Sequence, residues 1–410
     1  MKKISLLHKN YFSNYYLKKK SVSKSFDKIL REIKSTCDNT KDNYHVLSNK
    51  FKFNLNFNNL KNFQKFKNIV IIGMGGSILG SKTIYGFFKH KIKKKIFFFD
   101  NLDKEKLEKF KKENVKNKCL FIVISKSGNT IETISNFIEL NIIKNNAKNI
   151  IIISEKKDNF LYSLSQKFNL FFIEHKKYLG GRYSVLSEVG VIPSYLMDIN
   201  INKLRGNLKR YFRKKEKLFL KDSSILLSQI INKKIHKSII FLNYSPKLEN
   251  FLSWCQQLMA ESLGKKGKGF LPVISNSPKD HHSLLQLYLD GPRDKIFYIF
   301  SEKEKPYKKM KLKKFTKKIN YLNNKNLDIL KNTQINAVKK ILIMKKIPFR
   351  EFKINSINEE TLGVLFSYFI LETTIIGRLA NINPFDQPAV EQIKNITKKL
   401  LSRKTTKKNF

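Results

Sequence analysis

The sequence predicts an α/β protein of two tandem α/β/α sandwich domains with mostly parallel sheets, flanked by helical N- and C-terminal extensions. Three observations carry that expectation. At roughly 150 residues per domain, a chain of 410 residues makes two to three domains. Short, continuous apolar runs alternate with longer amphipathic segments, the pattern of parallel strands covered by helices on both faces. The alternation breaks near residue 178, around Gly180 and Gly181, and resumes beyond residue 200.

Residues 1–45 mix helix-like periodicity with Lys clusters and are expected to form an N-terminal helical extension. A first domain then spans 46–200, with strands expected at 68–73, 96–99, 119–125, 149–154 and 170–174. Residues 178–200 read as an interdomain connection. A second domain over 201–380 opens with a long basic helix near 201–234 and strand 238–243, followed by a helix over 246–263. Strands at 270–274, 294–300 and 349–354 and a long helix at 358–380 complete it, leaving 381–410 as a C-terminal segment. There is no repeat of solenoid period and no Pro- or Ser-rich linker.

Composition narrows the function classes. Apolar residues make up 41% of the chain and include 33 Phe, so global disorder is excluded. Lys and Arg number 82 against 32 Asp and Glu, a formal charge of +50. Such a field attracts nucleic acid or an anionic membrane. Only nine of the basic residues are Arg, however, and the Lys are spread along the whole chain among Asn, Ile and Phe. The excess therefore reads as compositional drift, with no specific nucleic-acid partner, and it favours an anionic small substrate. Three distant Cys (Cys37, Cys119, Cys255) form no CxxC, which argues for a reducing compartment and against zinc. The N-terminus lacks an apolar run of signal-peptide length, and the uncharged apolar stretch 361–371 is too short to span a bilayer. A cytoplasmic protein with no membrane partner is expected.

Two predicted strand-to-helix junctions carry the chemistry. The first, 73–80 (GMGGSILG), has glycines at 73, 75, 76 and 80, which match neither a phosphate-binding P-loop nor a dinucleotide fingerprint. Tight packing and ligand binding at Gly76 and Ser77 both remain open. The second, 125–133 (SKSGNTIET), sets Ser125, Lys126, Ser127 and Thr130 at a helix start, a phosphate-sized cradle of hydroxyls, backbone N–H groups and one ammonium. A single N-cap would explain Ser127 or Thr130, but not the cluster. Further along, Gln257 and Glu261 stand one helical turn apart and share a face. His281 and His282 are adjacent, so only one of them can face a given site. A metal pair is not expected, because no further ligand set stands at recognisable spacing.

These segments resemble the signatures of the phosphoglucose isomerase family of sugar isomerase (SIS) proteins. The resemblance rests on 73–80, 125–133, 180–184 (GGRYS), 254–265 (WCQQLMAESLGK), 280–287 (DHHSLLQL) and 383–394 (NPFDQPAVEQIK), six motifs in family order. It implies two SIS domains and interconversion of glucose 6-phosphate and fructose 6-phosphate without cofactor or metal. It further implies a homodimer whose sites are each completed by the neighbour's His282 segment. By resemblance Glu261 is the base that shuttles the proton between C2 and C1. His282 assists ring opening with Lys394 as its partner, and Arg182, beside Gly181, stabilises the enediolate. Gln257 and Gln387 contact the sugar, and Glu132 is a secondary candidate. The chain departs from the family at Ser127 (usually Thr), at His281 (usually Gln), and at Ala389 and Ile393 (usually Gly). Ile393 stands directly before Lys394, where its side chain can displace the Lys394 backbone. Rival readings are an isomerase of another hexose 6-phosphate such as mannose 6-phosphate, a non-catalytic SIS sensor, or a basic nucleic-acid-binding protein.

Overall fold

The computed structural model describes residues 6–12, 20–39, 41–113, 119–303, 308–311 and 317–406. The N-terminal segment is only partly helical. Strand β1 (Leu6–Tyr11) precedes helix α1 (Lys20–Thr36), so the expectation of a helical extension over 1–45 holds for α1 and fails for β1. In β1 only Leu6 is fully buried, which leaves almost no apolar signal to read.

The first domain is an all-parallel sheet. Strands β2 (Asn68–Gly73), β3 (Lys95–Phe99), β4 (Cys119–Ile124), β5 (Ile150–Ser154) and β6 (Phe171–Glu174) lie in the order β3-β2-β4-β5-β6. All six residues of β4 and all five of β5 are buried, the expected state of strands sandwiched between helix layers. Helices α2 (Leu79–Phe88), α3 (Lys104–Lys112), α4 (Ile131–Glu139) and α5 (Phe160–Lys167) supply the crossovers. Each fully buried Ile or Phe along these runs contributes about 1.5–3 kcal/mol.

Residues 178–200 form no loose connector. The turn Gly181–Leu186 and helix α6 (Glu188–Leu196) are buried along nearly their whole length. The single helix expected near 201–234 is two. Helix α7 (Ile201–Arg205) ends at Gly206, and α8 (Lys214–Lys233) starts after a short turn. Gly363 approaches the Leu204 carbonyl so closely that an added Cβ would lie 1.9 Å from it, and α7 packs there on the helix that carries Gly363.

The second sheet joins β7 (Ser238–Asn243), β8 (Leu271–Asn276), β9 (Lys295–Glu302) and β10 (Phe349–Ile354) in the order β1-β10-β9-β7-β8. Only β1 runs antiparallel, pairing Leu6 with Ile354 and capping the edge of β10. Helices α9 (Glu249–Leu263), α10 (Leu285–Asp290), α11 (Leu327–Met344) and α12 (Glu359–Leu379) belong to this half. Glu372 does not interrupt α12, which is long and apolar enough to cross a membrane; it is instead buried within the protein, packed on α1, α7, α8 and α9. Helix α13 (Pro388–Thr406) ends the described chain. The seam between the domains is α2 against α9, where the Thr83 hydroxyl donates to the Asn250 carbonyl at 2.9 Å.

Candidate active site

In the first sheet the chain leaves β2 toward β3 on one side, while β4 lies on the other. The loops after β2 and β4 therefore diverge above the carboxyl ends of the strands, which opens a crevice where α/β sheets bind ligands. The C-terminal turn of α9 and the start of α13 close it into a cavity of about 470 Å³.

The glycine loop does two jobs. A Cβ on Gly76 would lie 2.3 Å from the Gly181 carbonyl carbon and 2.6 Å from the Arg182 nitrogen, so only glycine lets these backbones meet. Packing at Gly76 thus sets the entry angle of Arg182, while Gly76, Ser77 and Gly181 line the cavity.

The loop 125–130 is pinned to the start of α5. Gly128 has φ +70, and a Cβ there would sit 1.7 Å from Asn159 Oδ1. Asn129 Oδ1 accepts from the Phe160 N–H at 2.9 Å. Thr130 occupies the N-cap of α4 without capping it; its hydroxyl turns to Ser125 Oγ at 2.8 Å. Ser127 Oγ stands 3.5 Å from both. Lys126, Ser127 and Thr130 line the cavity. Ser125 is buried beneath them, with its hydroxyl against those of Thr130 and Ser127.

Helix α9 presents its core face through Trp254 and Leu258 and turns Gln257 and Glu261 to the cavity. Gln257 Nε2 donates to Glu261 Oε1 at 2.9 Å, and Arg182 Nη1 donates to Glu261 Oε2 at 3.2 Å. The Arg182 guanidinium is 3% exposed and fully engaged. Its Nε donates to Ser262 Oγ at 2.8 Å, Nη1 also to Gln387 Oε1 at 2.6 Å, and Nη2 to the carbonyls of Pro384 and Asp386 at 2.7 and 3.1 Å. A cation held this firmly beside a carboxylate can stabilise an anion without reorganising.

Lys394 lines the same cavity from α13, its ammonium 2.7 Å from Glu391 Oε1. Ile393 is 70% exposed, so its bulk meets solvent and leaves the cavity untouched.

Not every expected residue converges. His282 is exposed on the turn Lys279–His282 after β8 and does not line the cavity. Its neighbour points the other way: His281 Nε2 lies 2.7 Å from the Tyr244 hydroxyl, and burial lowers the His281 pKa. Glu132 sits half-buried in the first turn of α4, outside the lining. Met74, Gly75, Val390 and Glu391 also line the cavity from within the motifs 73–80 and 383–394. Two lining residues lie outside every motif, Glu155 and Lys157, both just past β5. In a chain this rich in Lys, nothing local marks Lys157. Among the described residues, no group of three or more His, Cys, Asp or Glu could hold a metal ion.

Comparison with known proteins adds independent findings. Residues 39–410 match the phosphoglucose isomerase family. A probable glucose-6-phosphate isomerase of Methanococcus maripaludis is 35% identical over 355 residues, 83% of this chain and 80% of that relative. The glucose-6-phosphate isomerase of Mycoplasmopsis synoviae is 33% identical, covering 83% of this chain and 84% of its own. Among solved structures, a hypothetical protein of Thermus thermophilus superposes with a TM-score of 0.80 at 21% identity, over 96% of this chain and all of that one. A glucose-6-phosphate isomerase of Chlamydia trachomatis gives 0.75 at 16% identity, over 98% and 89% of the respective chains. At these identities the two structures speak for the fold.

Proposed function

The chain belongs to the phosphoglucose isomerase family, and we propose that the cavity between its two domains performs the aldose–ketose isomerisation for which its relatives are named. The substrates are glucose 6-phosphate and fructose 6-phosphate, in glycolysis and gluconeogenesis. One observation carries the assignment of residues. A carboxylate, a fixed guanidinium and a cluster of hydroxyls line one cavity of sugar-phosphate size.

The steps follow from that geometry. Ser127 and Thr130, backed by Ser125 and joined by Ser77 and Lys126, take the phosphate. The open-chain sugar then lies against α9. Glu261 removes the C2 proton, the electron pair moves to the C1 carbonyl, and an enediolate forms beside Arg182. Transfer of the O2 hydroxyl proton to O1, and return of the carbon-bound proton from Glu261 to C1 as the C2 carbonyl forms, yield the ketose. Gln257 orients the carboxylate through its 2.9 Å bond. Lys394 serves the ring oxygen during ring opening.

His282 is assigned to the cavity of a second copy, as the family resemblance implies, and its exposure outside its own cavity supports this. An apolar stripe on α13 supports this homodimer: Val390, Ile393, Ile396 and Leu400 recur at helical spacing and are 39%, 70%, 57% and 56% exposed. All three cysteines are buried thiols far apart in the sequence, which supports a cytoplasmic location.

A coupled assay with fructose 6-phosphate, run beside mannose 6-phosphate, tests the activity. Turnover of fructose 6-phosphate is expected, and its absence sinks the reading. Ser127→Ala/Thr130→Ala is expected to raise KM more than it lowers kcat, because the cradle holds ground and transition state alike. A pure kcat loss would place the phosphate elsewhere. Sharing of sites has its own readout. Equal mixing and reassociation of Glu261→Gln and His282→Ala chains, each nearly inactive alone, is expected to restore about a quarter of wild-type turnover. No recovery would mean that His282 does not serve the neighbour's cavity.

A further inference from the structure

We propose that Lys157 is a further substrate-binding residue, a second ammonium at the phosphate cradle that the buried carboxylate of Glu155 fixes in place. The inference rests on the sugar-phosphate reading of the cavity and names a contact that reading did not contain.

Parallel pairing of β4 with β5 brings the two loops together. Ile124 pairs with Ile153, the Ser125 N–H donates to the Ile153 carbonyl at 3.1 Å, and the Glu155 N–H donates to the Lys126 carbonyl at 3.1 Å. The loops carrying the hydroxyls and Lys157 therefore leave the sheet side by side. The Glu155 side chain is 8% exposed, with Lys126 Nζ 3.7 Å from Oε1 and Lys157 Nζ 2.5 Å from Oε2.

The charge count of the cavity singles this corner out. Its lining holds four cations and three carboxylates. Arg182 is paired with Glu261, and Lys394 with Glu391. The third carboxylate, Glu155, faces both remaining ammoniums, so the one uncompensated positive charge of the cavity lies beside Ser127 and Thr130. His175 does not alter the count: it is buried behind Lys126, and burial lowers its pKa to about 4, leaving it neutral. One ammonium balances the single negative charge of Glu155, and two face it. The second, half-exposed ammonium has N–H donors to spare, and surplus positive charge beside hydroxyl donors is what a phosphate dianion requires.

The test measures binding of inorganic phosphate to the full chain by calorimetry, together with kcat and KM for fructose 6-phosphate. Lys157→Met is expected to weaken phosphate binding and raise KM by about tenfold, the scale of one charge-assisted contact, with kcat within about twofold. Lys157→Arg, which keeps the charge, is expected to stay within about threefold of wild type. In a Glu155→Gln background the Lys157→Met loss is expected to shrink to about threefold or less, because the ammonium has lost its anchor. Phosphate affinity unchanged by Lys157→Met would overturn the contact. A full tenfold loss persisting without the Glu155 carboxylate would overturn the role given to that residue. If the wild type binds phosphate but does not isomerise the sugar, the assigned activity falls while the Lys157 effect on phosphate still decides this proposal. A wild type that binds no phosphate overturns both.

Discussion

Glu261→Gln is expected to fold normally and to lose about 10²- to 10⁴-fold in turnover, the usual contribution of a positioned general base. The substitution is nearly isosteric, and its amide oxygen can still accept from Arg182 Nη1, which now stands 3.2 Å from the carboxylate. Substrate binding is therefore expected to change little. What disappears is the basic oxygen pair on a side chain 29% exposed to the cavity. Exchange of the sugar's C2 hydrogen with solvent, followed by NMR in deuterated water, is the specific readout. A base knock-out loses exchange and turnover together, whereas a merely structural defect would show in thermal stability. Retention of more than about a tenth of wild-type rate would sink the assignment.

The second large effect concerns stability. Arg350 and Glu372 form an ion pair at 2.7 Å with side chains 0% and 1% exposed, joining β10 to α12 in the core of the second domain. The Tyr368 hydroxyl bonds both partners, and the guanidinium stacks against the rings of Tyr298 and Phe352 at 4.7 Å. Burial alone disfavours the guanidinium charge, yet Glu372 holds Arg350 firmly protonated. Arg350→Met removes the cation and leaves the carboxylate buried with the Tyr368 hydroxyl as its remaining partner, at an expected cost of about 3–5 kcal/mol in urea unfolding. The double variant Arg350→Met/Glu372→Leu replaces the pair with apolar volume and is expected to recover most of that loss. A single variant within about 1 kcal/mol of wild type would mean that water or a neighbour satisfies Glu372 after all.

Much of the fold was legible because its strands are buried on both faces. The runs 68–73 and 238–243 are apolar enough to be placed to the residue without any partner in view. Strand β1 was not legible, since an edge strand with one deeply buried side chain carries no periodic signal; it exists because β10 offers an unpaired edge. The break between α7 and α8 was hidden for a similar reason. Helix α7 packs there against Gly363, which lies more than 150 residues further along the chain.

The site divides along the same line. The sequence by itself determined the α/β class and the family, together with the residues that stand in contiguous motifs: the hydroxyl cradle, the Gln257 and Glu261 face, Arg182, Gln387 and Lys394. Those depend on local chemistry, a turn, a helix start or a helical repeat, which a short segment specifies alone. Only the tertiary structure decided which of them share a cavity. It buried Ser125 beneath Thr130 and left Glu132 aside. It turned His281 inward to Tyr244 and His282 outward. It also placed Glu155 and Lys157 beside the cradle. That placement follows from the pairing of β4 with β5 across a crossover of about 25 residues, and in a chain with 82 basic residues nothing local distinguishes the one Lys that such a pairing selects.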